Sequence, residues 1–127
     1  MSEPATGRRF NRALLYDGNG RLVETYDKLH VPCEEGFWEK EHYEPGDAPP
    51  RRVDAFGFPV GMQICSDLQR PQGVYLLGAM GAAAVFGPRA TPTTSYERWR
   101  RVVQTDAQLG AVYVISVSYT HLTLPTN

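Results

Sequence analysis

A layered α/β domain is the fold this sequence predicts, and three observations predict it. Short apolar runs of strand character alternate with helical stretches from residue 58 onward. Two further strand-like runs, joined by a Gly- and Asn-rich connection, precede them. Within the region after residue 58 an apolar run stops abruptly at Cys65, and Pro71 opens a helix a few residues later.

The elements follow in order. Residues 11–16 and 21–26 are strand-like and joined by Asp17-Gly-Asn-Gly20, residues that tolerate positive φ, so they predict a hairpin. Residues 27–50 carry little periodicity and many Pro, Gly and charged residues, and a loop of that length in a small domain is usually functional. Residues 53–56 and 59–65 read as the next two strands, split at Gly57. Residues 71–81 read as a short helix and 82–86 as a buried strand. Ser95 is placed to cap a helix running to about Leu109, with Gly110 as its stop. On that helix Trp99, Val102, Val103 and Ala107 share one face, and Arg98, Arg101 and Gln104 point elsewhere. Residues 111–117 form a clear β-run.

At 127 residues and 42% hydrophobic composition the chain can bury one ordinary core. A formal net charge of -1 argues against nucleic-acid binding, which needs a basic stripe. No apolar stretch reaches membrane-span length, so no membrane partner is expected. The two cysteines, Cys33 and Cys65, form no disulfide framework, which fits a reducing, cytoplasmic setting. No Cys-x-x-Cys is present, which places a thiol-redox role last. His30, Cys33, Glu34 and His42 begin like a metal-binding run, but no second compact ligand pair follows, so no metal is expected.

Cys65 is the residue that carries most chemistry. A thiol at a strand-to-helix turn is exposed at a sheet edge among unpaired backbone N–H groups, the setting of a covalent nucleophile. The plainer reading is a buried structural cysteine, since free Cys is among the most buried residue types.

The surroundings of Cys65 extend this. In order along the chain come Tyr26-Asp-Lys28-Leu-His30-Val-Pro32, Glu39-Lys40, Glu44-Pro-Gly-Asp47, Cys65-Ser-Asp67 with Pro71, and a helix bearing Trp99. This series resembles the nitrilase superfamily of carbon–nitrogen hydrolases, most closely its amidase and N-carbamoyl amidase branches. The resemblance implies an α-β-β-α sandwich, of which this chain would be an internal part truncated at both ends. It implies hydrolysis of an amide or N-carbamoyl group, with no cofactor, through a cysteine thioester. Cys65 would be the nucleophile, Lys28 the oxyanion-stabilising ammonium, and Glu39 the auxiliary carboxylate that holds Lys28. The backbone N–H of Ser66 would be the second oxyanion donor. Arg70 and Arg89 are candidates for binding a substrate carboxylate, and surface solvation is the alternative for both. The partner this implies is a small amide or carbamoyl compound, and the full-length parent is expected to form a homodimer or higher homo-oligomer.

Three features depart from the pattern. The family's Arg before the lysine is Asp27, and its Glu after the proline is Gln72. The family's general base is a glutamate far upstream of the lysine, where this chain offers only Glu3, without the motif, and Glu24, in a hairpin strand. The base is therefore expected outside this chain. The alternative is a non-catalytic structural or interaction domain of the same fold. Residues 1–118 are expected to be the partial hydrolase domain. Residues 119–127, Tyr-Thr-His-Leu-Thr-Leu-Pro-Thr-Asn, resemble sequencing-adapter read-through and are expected to be a non-native tail.

Overall fold

The computed structural model describes residues 7–36 and 38–118, so the expected tail at 119–127 lies outside the described residues. Strands β1 (Arg12–Tyr16) and β2 (Leu22–Asp27) form an antiparallel hairpin. Its turn closes where the Asp17 carboxylate accepts the N–H groups of Asn19 and Arg21, each at 2.9 Å, and Gly20 takes φ 77°. Those backbone bonds hold the Asp17 carboxyl below its ordinary value, the Arg21 N–H contributing most.

A second sheet has the order β3 (Val53–Ala55), β4 (Phe58–Met62), β5 (Ala84–Phe86) and β6 (Tyr113–Ile115). The first pair is antiparallel, turning through Phe56 (φ 58°) and Gly57 (φ 78°), and the other pairs are parallel. Helix α1 (Gln72–Ala79) connects β4 to β5, and α2 (Tyr96–Gly110) connects β5 to β6.

Side-chain alternation assigns the layers. Val85 joins Leu68, Val74, Leu77, Ala82, Trp99 and Val112 in a buried cluster beneath the helices. Met62 and Ile64 pack the other way, with Tyr26, Leu29 and Phe86. Val60, Ala55 and Ala84 pack against Leu15 and Val23 of the hairpin. The order is helices, four-stranded sheet, two-stranded sheet, three of the layers the resemblance implied.

Three expectations need correction. The strand expected to reach Cys65 ends at Met62, and Cys65–Gln69 form a 3-10 turn. The cause is local: the Asp67 carboxylate takes the Ile64 N–H at 3.2 Å, and Cys65 adopts φ 46°, which no extended strand allows. Ser95 does not cap α2 with its side chain, because its Oγ donates to the Pro92 carbonyl at 2.7 Å. Gly110 is not the stop either. It ends the helix itself, and Ala111 takes the left-handed conformation at φ 51°. The helices touch backbone to backbone at Gly78 of α1, where a Cβ would collide with the Gly110 carbonyl oxygen.

Candidate active site

Parallel strands deliver their carboxyl ends to one edge, and open α/β sheets bind ligands there. Residues following β4, β5 and β6 meet at this edge. The Cys65 N–H donates to the Pro88 carbonyl at 2.9 Å, the Gly87 N–H to Ile115, and the Arg89 N–H to Val117. Cys65 thus stands on a sharp turn held by the neighbouring strand's exit. Its φ of 46° is a strained value for a residue with a Cβ, as at a nucleophile elbow.

A cavity of about 340 Å³ opens over Cys65, lined also by Asn11, Arg12, Glu39, Ile64, Pro88 and Arg89. Lys28 comes from the end of β2. Its side chain is fully buried, and its Nζ donates to both Glu39 oxygens at 2.8 and 2.7 Å. Glu39 opens a short 3-10 turn, Glu39–Glu41, inside the long loop. The loop returns to β2 at Gly46, whose N–H bonds the Lys28 carbonyl and whose Cβ, if present, would strike Asp27. The apparently shapeless segment is thereby tied at both ends around the lysine.

Burial pushes the Cys65 thiol above its ordinary value, which the Lys28 ammonium opposes. The backbone N–H of Ala90 also favours the thiolate, the Glu39 carboxylate disfavours it, and the Ser66 N–H favours it. Cys65, Lys28, Glu39 and the Ser66 amide are therefore brought together. Arg70 is exposed and lines other cavities, one with His30, Cys33 and Lys40 and one with Arg98, Arg101 and Asp106. Arg89 does line the Cys65 cavity. Its Nε donates to Ser116 Oγ at 3.2 Å, its Nη1 to Thr91 Oγ1, and its guanidinium lies 5.2 Å from the Trp99 ring centre.

Two site residues escaped sequence reasoning. Asn11 Nδ2 donates to Glu39 Oε2 at 3.1 Å, orienting the carboxylate from 28 residues away. The Ala90 N–H reaches the thiol from the exit of β5. The departure at Asp27 leaves no bare charge beside the lysine. Arg12, its direct cross-strand partner, donates Nε and Nη2 to it at 2.6 and 2.7 Å. Gln72 is exposed at the start of α1. Glu24 pairs with Arg51 at 2.7 Å and lines a different cavity, and Glu3 lies outside the described residues. Among the described residues, no three His, Cys, Asp or Glu side chains gather to hold a metal, and no helix is long and apolar enough to cross a membrane.

A cysteine on a strained turn and a buried lysine paired with a glutamate stand together at one edge of a three-layer α/β frame. Residues 1–122 match the model of the carbon-nitrogen hydrolase family, and the chain belongs to that family. It is 27% identical over 121 residues to N-carbamoylputrescine amidase of Solanum lycopersicum, covering 90% of this chain and 40% of that protein. It is 31% identical over 122 residues to deaminated glutathione amidase of Synechocystis, covering 90% of this chain and 44% of the relative. Among solved structures, Saccharomyces cerevisiae Nit3 of the nitrilase superfamily superposes with a TM-score of 0.81 at 27% identity, over 92% of this chain and 41% of that one. A Helicobacter pylori carbon-nitrogen hydrolase gives 0.83 at 21% identity, over 91% and 42%. The chain thus spans about two fifths of the relatives it matches.

Proposed function

We propose that this chain carries the cysteine, lysine and auxiliary glutamate of an amidase that cleaves an amide or N-carbamoyl carbon–nitrogen bond through a thioester. The observation that carries the reading is the pairing of the buried Lys28 with Glu39, whose carboxylate shares a cavity with Cys65. The Cys65 sulfur forms a bond to the carbonyl carbon, and the carbonyl electrons move onto oxygen. The Lys28 ammonium and the Ser66 N–H stabilise that oxyanion, and a donor of this kind typically supplies about 3 kcal/mol. The oxyanion collapses, the C–N bond breaks, and ammonia or an amine leaves with the thiol's proton. Water then adds to the thioester, and its collapse returns the thiol and releases the acid.

Both proton transfers need a general base, worth about 10²–10⁴-fold. Glu39 is committed to Lys28 and Asn11, and the resemblance assigns the base to an upstream glutamate. The amidase names of the relatives support an amide or carbamoyl substrate.

The test expresses this chain and its full-length parent and offers both a panel of primary amides and N-carbamoyl amines, following ammonia release. The parent turns over at least one of them, Cys65→Ala abolishes turnover, and the 127-residue chain is inactive. A parent inactive across the panel would favour the non-catalytic domain. Multiple turnover by the chain alone, abolished by Cys65→Ala, would show that the base lies within it.

A further inference from the structure

Asp67 lies two residues after Cys65, and its carboxylate is fully buried. A buried carboxylate is costly unless every lone pair is used. Here each oxygen takes two donors. Oδ1 accepts the backbone N–H and the ring Nδ1 of His30, both at 2.8 Å. Oδ2 accepts the Tyr26 hydroxyl at 2.9 Å and the Ile64 N–H at 3.2 Å. Since a carboxylate only accepts, the His30 proton is placed on Nδ1.

The sequence positions of these donors carry the argument. Tyr26 and His30 stand two residues before and two residues after Lys28, and Ile64 immediately precedes Cys65. The Ser66 hydroxyl adds a further bond to the His30 carbonyl. Tyr26 stays a phenol, its pKa driven above the ordinary range by burial and then by the Asp67 charge. It is also braced by Gln63 Nε2 at 2.9 Å. One side chain therefore grips the lysine-bearing segment on both sides of the lysine and the cysteine turn at its start.

We propose that Asp67 is a positioning residue that clamps the Lys28 segment to the Cys65 turn and so fixes the ammonium relative to the thiol. The proposal rests on the reading of Cys65 and Lys28 given above. It goes beyond that reading by naming what keeps two segments, 37 residues apart, in register.

The test reads the thiol directly, so it needs no substrate. In a Cys33→Ser background, which removes the exposed second cysteine, the rate of Cys65 alkylation by iodoacetamide is followed against pH by mass spectrometry. The charged groups facing Cys65 are Lys28 and Glu39, with Arg12 and Arg89 at the same cavity. Lys28→Met removes the ammonium and moves the alkylation midpoint up by about one pH unit or more. Asp67→Asn keeps the ammonium but releases its segment, so the midpoint also rises. The double variant rises no further than Lys28→Met alone. A carboxylate with a purely structural role gives a different result. Neutralising it lowers the melting temperature and leaves the midpoint unchanged, or lower because a negative charge is gone; either outcome overturns the proposal. Tyr26→Phe removes one of the four bonds at nearly constant volume and shifts the midpoint in the same direction by less. If Asp67→Asn does not fold, Tyr26→Phe decides alone. A Lys28→Met profile that does not rise overturns the reading of the site and this proposal with it. A rise for Lys28→Met without one for Asp67→Asn and Tyr26→Phe overturns this proposal only.

Discussion

Lys28 is fully buried, while its partner Glu39 keeps about a quarter of its side chain, 24%, in solvent. The two halves of the pair are therefore not equivalent. Glu39→Gln leaves an ammonium inside the protein facing a neutral amide, the situation in which a broken buried pair costs about 3 kcal/mol or more. Lys28→Met leaves a carboxylate that water and Asn11 still reach, with an apolar chain filling the lysine's channel. Urea unfolding at neutral pH is expected to rank Glu39→Gln below Lys28→Met by at least about 1 kcal/mol; equal costs would mean that the lysine is hydrated in solution. At this scale the sequence was most legible where residues are close along the chain. Lys28, Glu39 and Cys65 stand in short motifs. Asn11, the Ala90 amide and the four bonds of Asp67 arise only when distant segments are folded together, and no local pattern encodes those pairings.

Among the elements, α2 departs furthest from its sequence reading. The stripe of Trp99, Val102, Val103 and Ala107 predicts its inner face, but Asp106 stands seven residues after Trp99 on that same face and is 2% exposed. Its Oδ2 has no partner among the described residues. The periodicity would have found it had polar residues been placed on the wheel with the apolar ones. Burial without a partner raises its carboxyl to about 6, against an unfolded value near 3.8. The folded state thus binds the proton more tightly than the unfolded state, so stability is greatest below pH ~4 for this group and falls as pH rises through about 6. Asp106→Asn should therefore raise the melting temperature at pH 7.5 and hardly change it near pH 4. The gain corresponds to about 3 kcal/mol at most. Thermal unfolding at the two pH values decides it, and a variant equally stabilised at both would show that Asp106 is not titrating from a buried state. The helix ends with Ala111, not a glycine, in the left-handed position, and Gly110 lies instead in backbone contact with Gly78 of α1.

Across the whole molecule the α/β class was legible because alternation and element length are local properties that survive folding, whereas the order of the layers followed from the family resemblance. The hairpin, the split at Gly57 and the parallel strands with their helices all stand near their expected places. What was not legible is where strand gives way to turn before Cys65, since a side chain three residues beyond Ile64, and not a backbone propensity, ends the strand. That turn also has a consequence for how the molecule's stability is divided. A Cβ at φ 46° costs about 1–3 kcal/mol wherever it occurs, and only glycine escapes the penalty. The thiol is thus kept at a position where the fold would be better served by a residue with no side chain. Cys65→Gly is expected to melt higher than Cys65→Ala, which retains the strained Cβ and gains nothing in return. The sheet's exits at Pro88 and Val117 and the clamp at Asp67 supply the rigidity that lets the strained residue persist. Loosening them would first be felt as relaxation of this one residue.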